Sequence, residues 1–109
     1  MAVRFSVRLT AQAESDLEEI IDFVAQHAPQ GALSLLAELR ALAASQREFP
    51  NRGNVPKELE TLGRNEFRQL IRKPYRMFYR VDGKDVVVLM IADGRRDMEE
   101  LLQQRLLGL

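Results

Sequence analysis

The sequence predicts an α+β fold with the element order β-α-α-β-β-β-α. Two observations predict it. Apolar residues recur every 3 to 4 positions between Thr10 and Glu48, and every second position from Asn65 onward. Turn residues then separate three successive period-two segments, the pattern of an antiparallel meander. At 109 residues the chain is sized for one core, so residues 1–109 are read as a single domain.

Residues 3–9 alternate, with Val3, Phe5, Val7 and Leu9 on one face and Arg4, Ser6 and Arg8 on the other, which predicts a half-buried strand. Thr10 stands at a helix N-cap position, and Glu14, Asp16, Glu18 and Glu19 favour the positive end of a helix dipole. Leu17, Ile20, Ile21, Val24 and Ala28 form the apolar stripe of that first helix, which Pro29 stops. A second helix is expected from about Gly31 to Glu48, with Leu35, Leu36, Leu39, Leu42 and Ala43 as its stripe. The short link Ala28-Pro29-Gln30 makes the two helices an antiparallel hairpin. Residues 49–56 carry turn chemistry throughout.

In the second half, Phe67, Gln69 and Ile71 alternate with Arg68, Leu70 and Arg72, and Lys73-Pro74 breaks the run. Tyr75, Met77, Tyr79 and Val81 then alternate with Arg76, Phe78 and Arg80, and Asp82-Gly83-Lys84 makes a tight hairpin. Residues 86–92 are apolar at every position and predict a central strand covered on both faces. A last helix runs from Met98 to Leu107, capped by Asp97 or its neighbour. The helical hairpin is expected on one face of the sheet, above Tyr75, Met77 and Tyr79. The other face is expected to be partly open. It would carry Arg76, Phe78 and Arg80, with Arg68, Leu70 and Arg72 beside them.

Composition excludes several chemistries. The chain has no cysteine, which removes disulfides, thiolate nucleophiles and cysteine zinc sites, and a single histidine, His27. A Ser-His-Asp triad would rest on that one residue, which lies at the end of the first helix beyond the apolar stripe. The longest apolar run is far short of the roughly 20 residues that cross a bilayer. The N-terminal residues alternate charged and apolar instead of forming a signal-like stretch, so a cytoplasmic protein with no membrane association is expected. Net charge is 0, yet residues 51–98 hold 11 basic and 7 acidic side chains while residues 1–50 hold 4 and 7. Of 16 basic residues 13 are Arg, and Arg64, Arg68, Arg72, Lys73, Arg76 and Arg80 crowd one stretch. Guanidinium groups bind phosphate and carboxylate bidentately, so the strip suggests an anionic partner, with cross-strand ion pairs as the alternative.

Three segments carry a likeness to a known family: Phe67-Arg68-Gln69-Leu70-Ile71, Pro74-Tyr75-Arg76-Met77-Phe78-Tyr79-Arg80-Val81, and residues 86–91 followed by Asp93-Gly94-Arg95-Arg96-Asp97. With Leu9-Thr10, Ala13, Asp16-Leu17 and Ile20 at the first strand–helix junction, the chain resembles the RelE/ParE toxin superfamily over nearly its whole length. The resemblance implies the toxin half of a bacterial type II toxin–antitoxin module. It implies no metal and no cofactor. It also implies a cognate ribbon-helix-helix, ParD-like antitoxin as partner in a toxin–antitoxin hetero-oligomer. That antitoxin is expected to be acidic, drawn to the net positive charge of residues 51–98.

Two activities belong to that superfamily. RelE-like members cut mRNA on the ribosome, and ParE-like members poison DNA gyrase. Cutting RNA without a metal needs a proton acceptor, a cationic clamp and a proton donor. By the resemblance, Arg68 and Arg76 match basic strand positions and Arg96 matches the position after the last strand. Leu70 stands where a second basic residue is expected, and Leu102 stands nearest the family's C-terminal tyrosine. With no residue assigned to catalysis, Arg68, Arg72, Arg76, Arg80, Arg95 and Arg96 are the candidates for contacting the target or an anion. The two vacancies favour DNA gyrase as target. The ribosome with its mRNA is the alternative, and a degenerate member that only binds antitoxin is a third.

Overall fold

The computed structural model describes residues 4–108. A four-residue strand, β1 (Ser6–Leu9), leads into two helices, α1 (Ala11–Ala25) and α2 (Pro29–Ala44), the second continued by one 3₁₀ turn, Ser45–Arg47. A short helix α3 (Lys57–Glu60) precedes the strands β2 (Phe67–Arg72), β3 (Tyr75–Asp82) and β4 (Asp85–Asp93), and α4 (Met98–Leu106) closes the fold. The sheet order is β1-β4-β3-β2, with β1 parallel to β4 and the other pairs antiparallel. Val3, expected at the start of β1, lies outside the described residues.

The helix boundaries follow from local chemistry. Thr10 caps α1 by accepting the Ala13 N–H at 3.1 Å. Pro29 was expected to end the first helix, with the second starting at Gly31; instead α1 ends at Ala25 and Pro29 opens α2. Proline is well placed there, because the first turn of a helix has no acceptor for its N–H. Ala28 before it adopts φ −148°, outside the helical region, and makes the corner. Asp97 stands at the N-cap of α4, though its side chain makes no capping bond.

Two apolar layers sandwich the sheet. Leu17, Leu35, Leu39 and Ala43 of the hairpin pack on Leu70, Met77, Tyr79, Val86, Val88 and Ile91. On the opposite side Leu59 of α3 and Met98 and Leu102 of α4 pack on Phe67, Phe78, Met90 and Ala92. The expected partly open face is therefore covered by α3 and α4, and Phe78 is fully buried. The period-two reading could not show this, because α3 lies in a segment without helical periodicity and only folding brings α4 back over the sheet. β4 is buried on both faces as expected, with Val86, Val87, Val88, Met90, Ile91 and Ala92 all in the interior. A bulge at Leu89, where Phe78 pairs with Met90 and Tyr79 with Val88, turns both Leu89 and Met90 toward α4.

Candidate functional site

The register of β2 against β3 separates the arginines expected on one face. Directly opposed residues of an antiparallel pair share a face. Phe67 opposes Arg80, Gln69 opposes Phe78 and Ile71 opposes Arg76. Arg68, Leu70 and Arg72 oppose Tyr79, Met77 and Tyr75 and so lie on the hairpin side. A single surface of four arginines does not exist. The sequence pattern shows alternation within each strand, but the phase between two strands is fixed by the turn and the packing.

Most of these arginines already hold an internal acceptor. Arg68 donates through Nη1 to the Gly53 carbonyl at 2.6 Å and anchors the loop before α3. Arg72 reaches Glu38 of α2 through Nε at 2.6 Å. Arg95 forks onto Asp93, with Nε donating at 2.9 Å, and this pair holds the Asp93 carboxyl down at about 2. Arg80 lies 3.9 Å from Asp82, the loosest of these pairs. Arg96 is exposed and its side chain has no partner among the described residues. It lines a cleft of about 360 Å³ together with Tyr75, Arg95, Glu19 and Phe23.

Arg76 is the most completely enclosed. Its Nη1 and Nη2 donate to the two carboxylate oxygens of Glu58 at 2.9 and 3.0 Å, and its Nε donates to Gln69 Oε1 at 2.7 Å. The guanidinium stacks 5.0 Å from the centre of the Phe78 ring. Gly94 lets the stem pass, since a Cβ there would come within 3.0 Å of Arg76 Cδ and 3.1 Å of the Pro74 carbonyl. The Arg76 hydrogen bonds hold the Glu58 carboxyl below its usual range. Sequence reasoning missed Glu58, because a carboxylate in a turn-rich segment carries no signal of the strand it will meet.

It also missed a second enclosed pair. Arg105 of α4 donates through both Nη atoms to Asp16 of α1 at 2.9 Å each, and Asp16 also accepts the Ile91 N–H at 3.1 Å. Asp16 was visible as part of the strand–helix junction, and its partner 89 residues away was not.

The groups that could move protons are remote or engaged. Leu70 and Leu102 are buried in opposite core layers. The buried Tyr79 hydroxyl donates to the Pro50 carbonyl at 2.8 Å and accepts the Gly53 N–H at 3.0 Å, and burial pushes its pKa up. His27 is exposed at the end of α1, edge-on to Phe23. Glu66 is paired with Arg64, and Glu99 is exposed on α4. Among the described residues no group of three or more His, Cys, Asp or Glu could hold a metal ion, and no helix is long and apolar enough to cross a membrane.

The family model for the ParE toxin of the type II toxin–antitoxin system parDE matches residues 7–98. The chain belongs to this family. Among solved structures, this ParE-family toxin is similar to a chain of the chromosomal ParDE toxin–antitoxin system from P. aeruginosa. The TM-score is 0.68 at 26% identity, covering 83% of this chain and 96% of that one. It is also similar to a chain of the toxin–antitoxin complex RelBE2 from Mycobacterium tuberculosis, with a TM-score of 0.61 at 26% identity, covering 85% and 94%. No curated protein matches it. The RelE/ParE resemblance and the α+β fold read from the sequence are thus both shown.

Proposed function

We propose that this toxin arrests growth by poisoning DNA gyrase, and that a ParD-like antitoxin neutralises it in a hetero-oligomer. The observation that carries the reading is the state of Arg76. In an RNA-cutting member an arginine here would clamp phosphate beside a proton acceptor. Here its Nε and both Nη atoms donate to Glu58 and Gln69, leaving little to offer a phosphate. Glu58 is itself a poor base, because both its oxygens are engaged and its pKa is lowered. The positions expected to supply the remaining chemistry are buried leucines. A missing general acid or base costs about 10²–10⁴-fold in rate. Arg80 and Arg96, the least engaged of the candidate arginines, are the residues proposed to contact the target.

The test is a gyrase supercoiling assay run beside mRNA cleavage on purified ribosomes. The expected result is loss of supercoiling with accumulation of cleaved DNA and intact mRNA. Codon-specific mRNA cleavage with normal supercoiling would replace this reading with the ribosomal one. Activity in neither assay, with antitoxin binding retained, would leave a member that only binds its antitoxin.

A further inference from the structure

The loop of residues 49–56 joins the 3₁₀ turn to α3 and is tied to β2 and β3 along its length. The buried Tyr79 hydroxyl donates to the Pro50 carbonyl at 2.8 Å and accepts the Gly53 N–H at 3.0 Å. Arg68 donates to the Gly53 carbonyl at 2.6 Å, and the Gln69 N–H donates to the Asn54 carbonyl at 2.8 Å. Gly53 lies so close to the sheet that a Cβ there would come within 2.5 Å of the Gln69 carbonyl oxygen and 2.6 Å of the Tyr79 hydroxyl. Pro50 and Pro56 are buried, and Pro50 restricts the backbone of Phe49 before it. Connecting segments are ordinarily more mobile than the elements they join, and this one is fixed.

The largest side chain that this fixed loop presents to solvent is apolar: Phe49 is 60% exposed. Arg47 and Arg52 stand on either side of it in the chain, both exposed and without a carboxylate partner among the described residues. Arg52 is oriented as well, because its Nη2 donates to Ser45 Oγ at 2.7 Å and that hydroxyl donates to the Leu42 carbonyl at 2.6 Å. Glu48 is the one acid from Ser45 to Pro56, so the segment is net positive. The other large exposed apolar side chains lie elsewhere, Phe23 and Leu33 on the helical hairpin, Leu62 after α3 and Ile71 on β2.

We propose that Phe49 is the anchor by which this toxin holds its protein target, entering an apolar pocket with an acidic rim. This rests on the target reading above and names the anchoring residue and the chemistry of the pocket. Aromatic and arginine side chains carry most of the binding energy at protein interfaces. A ring already fixed before binding loses little freedom on docking, and the Tyr79, Arg68 and Gln69 hydrogen bonds supply that fixing. Arg47 and Arg52 complement carboxylates around the pocket and disfavour a basic surface. A nucleic acid fits this segment less well. Two arginines beside the free carboxylate of Glu48 offer few phosphate contacts to a mode of binding that depends on many.

The experiment titrates the whole toxin and its variants into purified DNA gyrase with relaxed plasmid. Phe49→Ser and Arg47→Glu/Arg52→Glu are each expected to raise the half-inhibitory concentration at least tenfold. Leu33→Ser, which removes an equally exposed apolar side chain from α2, is expected to leave it unchanged. All of these side chains are exposed, so unchanged melting curves verify that the variants fold. Tyr79→Phe keeps the ring and releases the loop. It is expected to weaken inhibition severalfold in the native chain and to add nothing to Phe49→Ser, whereas a general loss of stability would add to both. Full inhibition by Phe49→Ser, or an equal loss in Leu33→Ser, would overturn the proposal. So would binding of plasmid by the toxin alone that Phe49→Ser removes, since the anchor would then belong to DNA. If the native toxin leaves supercoiling untouched, the gyrase reading falls, and growth arrest on induction without antitoxin decides the anchor. Arrest by the native and Leu33→Ser chains but not by Phe49→Ser upholds it. Arrest by all three or by none overturns it.

Discussion

Arginines on the meander and arginines beside β1 have the same chemistry and opposite fates. Arg72 and Arg76 each meet a carboxylate from another part of the chain, Arg95 meets Asp93 two residues before it, and Arg68 meets a carbonyl. Arg8 and Arg47 meet none among the described residues. The fold consumes much of the charge of the basic half while leaving Arg96 free there, and the acidic half, though Arg40 is paired with Glu14, leaves Arg8 and Arg47 free among the described residues. Linear charge density is therefore a poor map of where an anionic partner binds, because pairing across the fold is decided by strand register and helix packing.

Removing the most enclosed meander arginine tests this contrast most severely. Arg76→Ala leaves the Glu58 carboxylate, 26% exposed, without its counter-charge and Gln69 without its donor. The expected loss is about 3 kcal/mol in urea unfolding, at the low end for breaking an enclosed pair because water still reaches part of it. The double variant Arg76→Met/Glu58→Leu is expected to recover most of that loss, since the cost lies in the orphaned charge. A double variant as unstable as the single would mean that Arg76 acts through packing on Phe78 and Gly94.

Acid should expose the same pair. The Glu58 carboxyl is held below its ordinary value of 4.5 by Arg76, so the folded state binds that proton less readily than the unfolded chain. The stabilisation is complete above that value and is lost as pH falls through it toward the folded pKa. Thermal melts between pH 6 and pH 3 are expected to fall less steeply for Arg76→Met/Glu58→Leu than for the native chain. Parallel slopes would show that the pair contributes nothing to acid sensitivity.

A neutral group sharpens the rule. Gln46 is fully buried, and among the described residues neither its amide nitrogen nor its oxygen has a partner. Replacing it with methionine, close to it in volume, is expected to raise stability by about 1 kcal/mol, read from the urea midpoint. A loss would indicate a bridging water at that position. The smallest effects are expected where charges are exposed. Arg72→Ala should change stability by no more than about 0.5 kcal/mol, the range of exposed ion pairs. The Arg8→Glu/Arg47→Glu variant should melt with the native chain, since neither side chain holds a carboxylate partner among the described residues.

Much of the architecture was legible in the chain itself. The change of period near Asn65, the Thr10 cap and the Gly83 turn define the strands and helices, because these signals are local and depend only on neighbouring residues. The ends of helices were less legible. Pro29 marks a boundary without saying on which side the helix lies, and α3 is too short to show a period. The family was legible as well, since its signature is a succession of local segments. The candidate site was not: the phase of β2 against β3 sends Arg68 and Arg76 to opposite faces, and nothing within either strand encodes it.

What the sequence by itself determined is the inventory: three antiparallel strands and a helical hairpin, an excess of arginine, and no thiol or second histidine. What only the tertiary structure decided is the pairing. Glu58 meets Arg76 across 18 residues and Asp16 meets Arg105 across 89. α4 closes the sheet's second face, and β1 takes the sheet's edge beside β4. Local propensities act over a turn of helix or a pair of strand positions, whereas an ion pair or a free edge exists only once distant segments have been packed into contact.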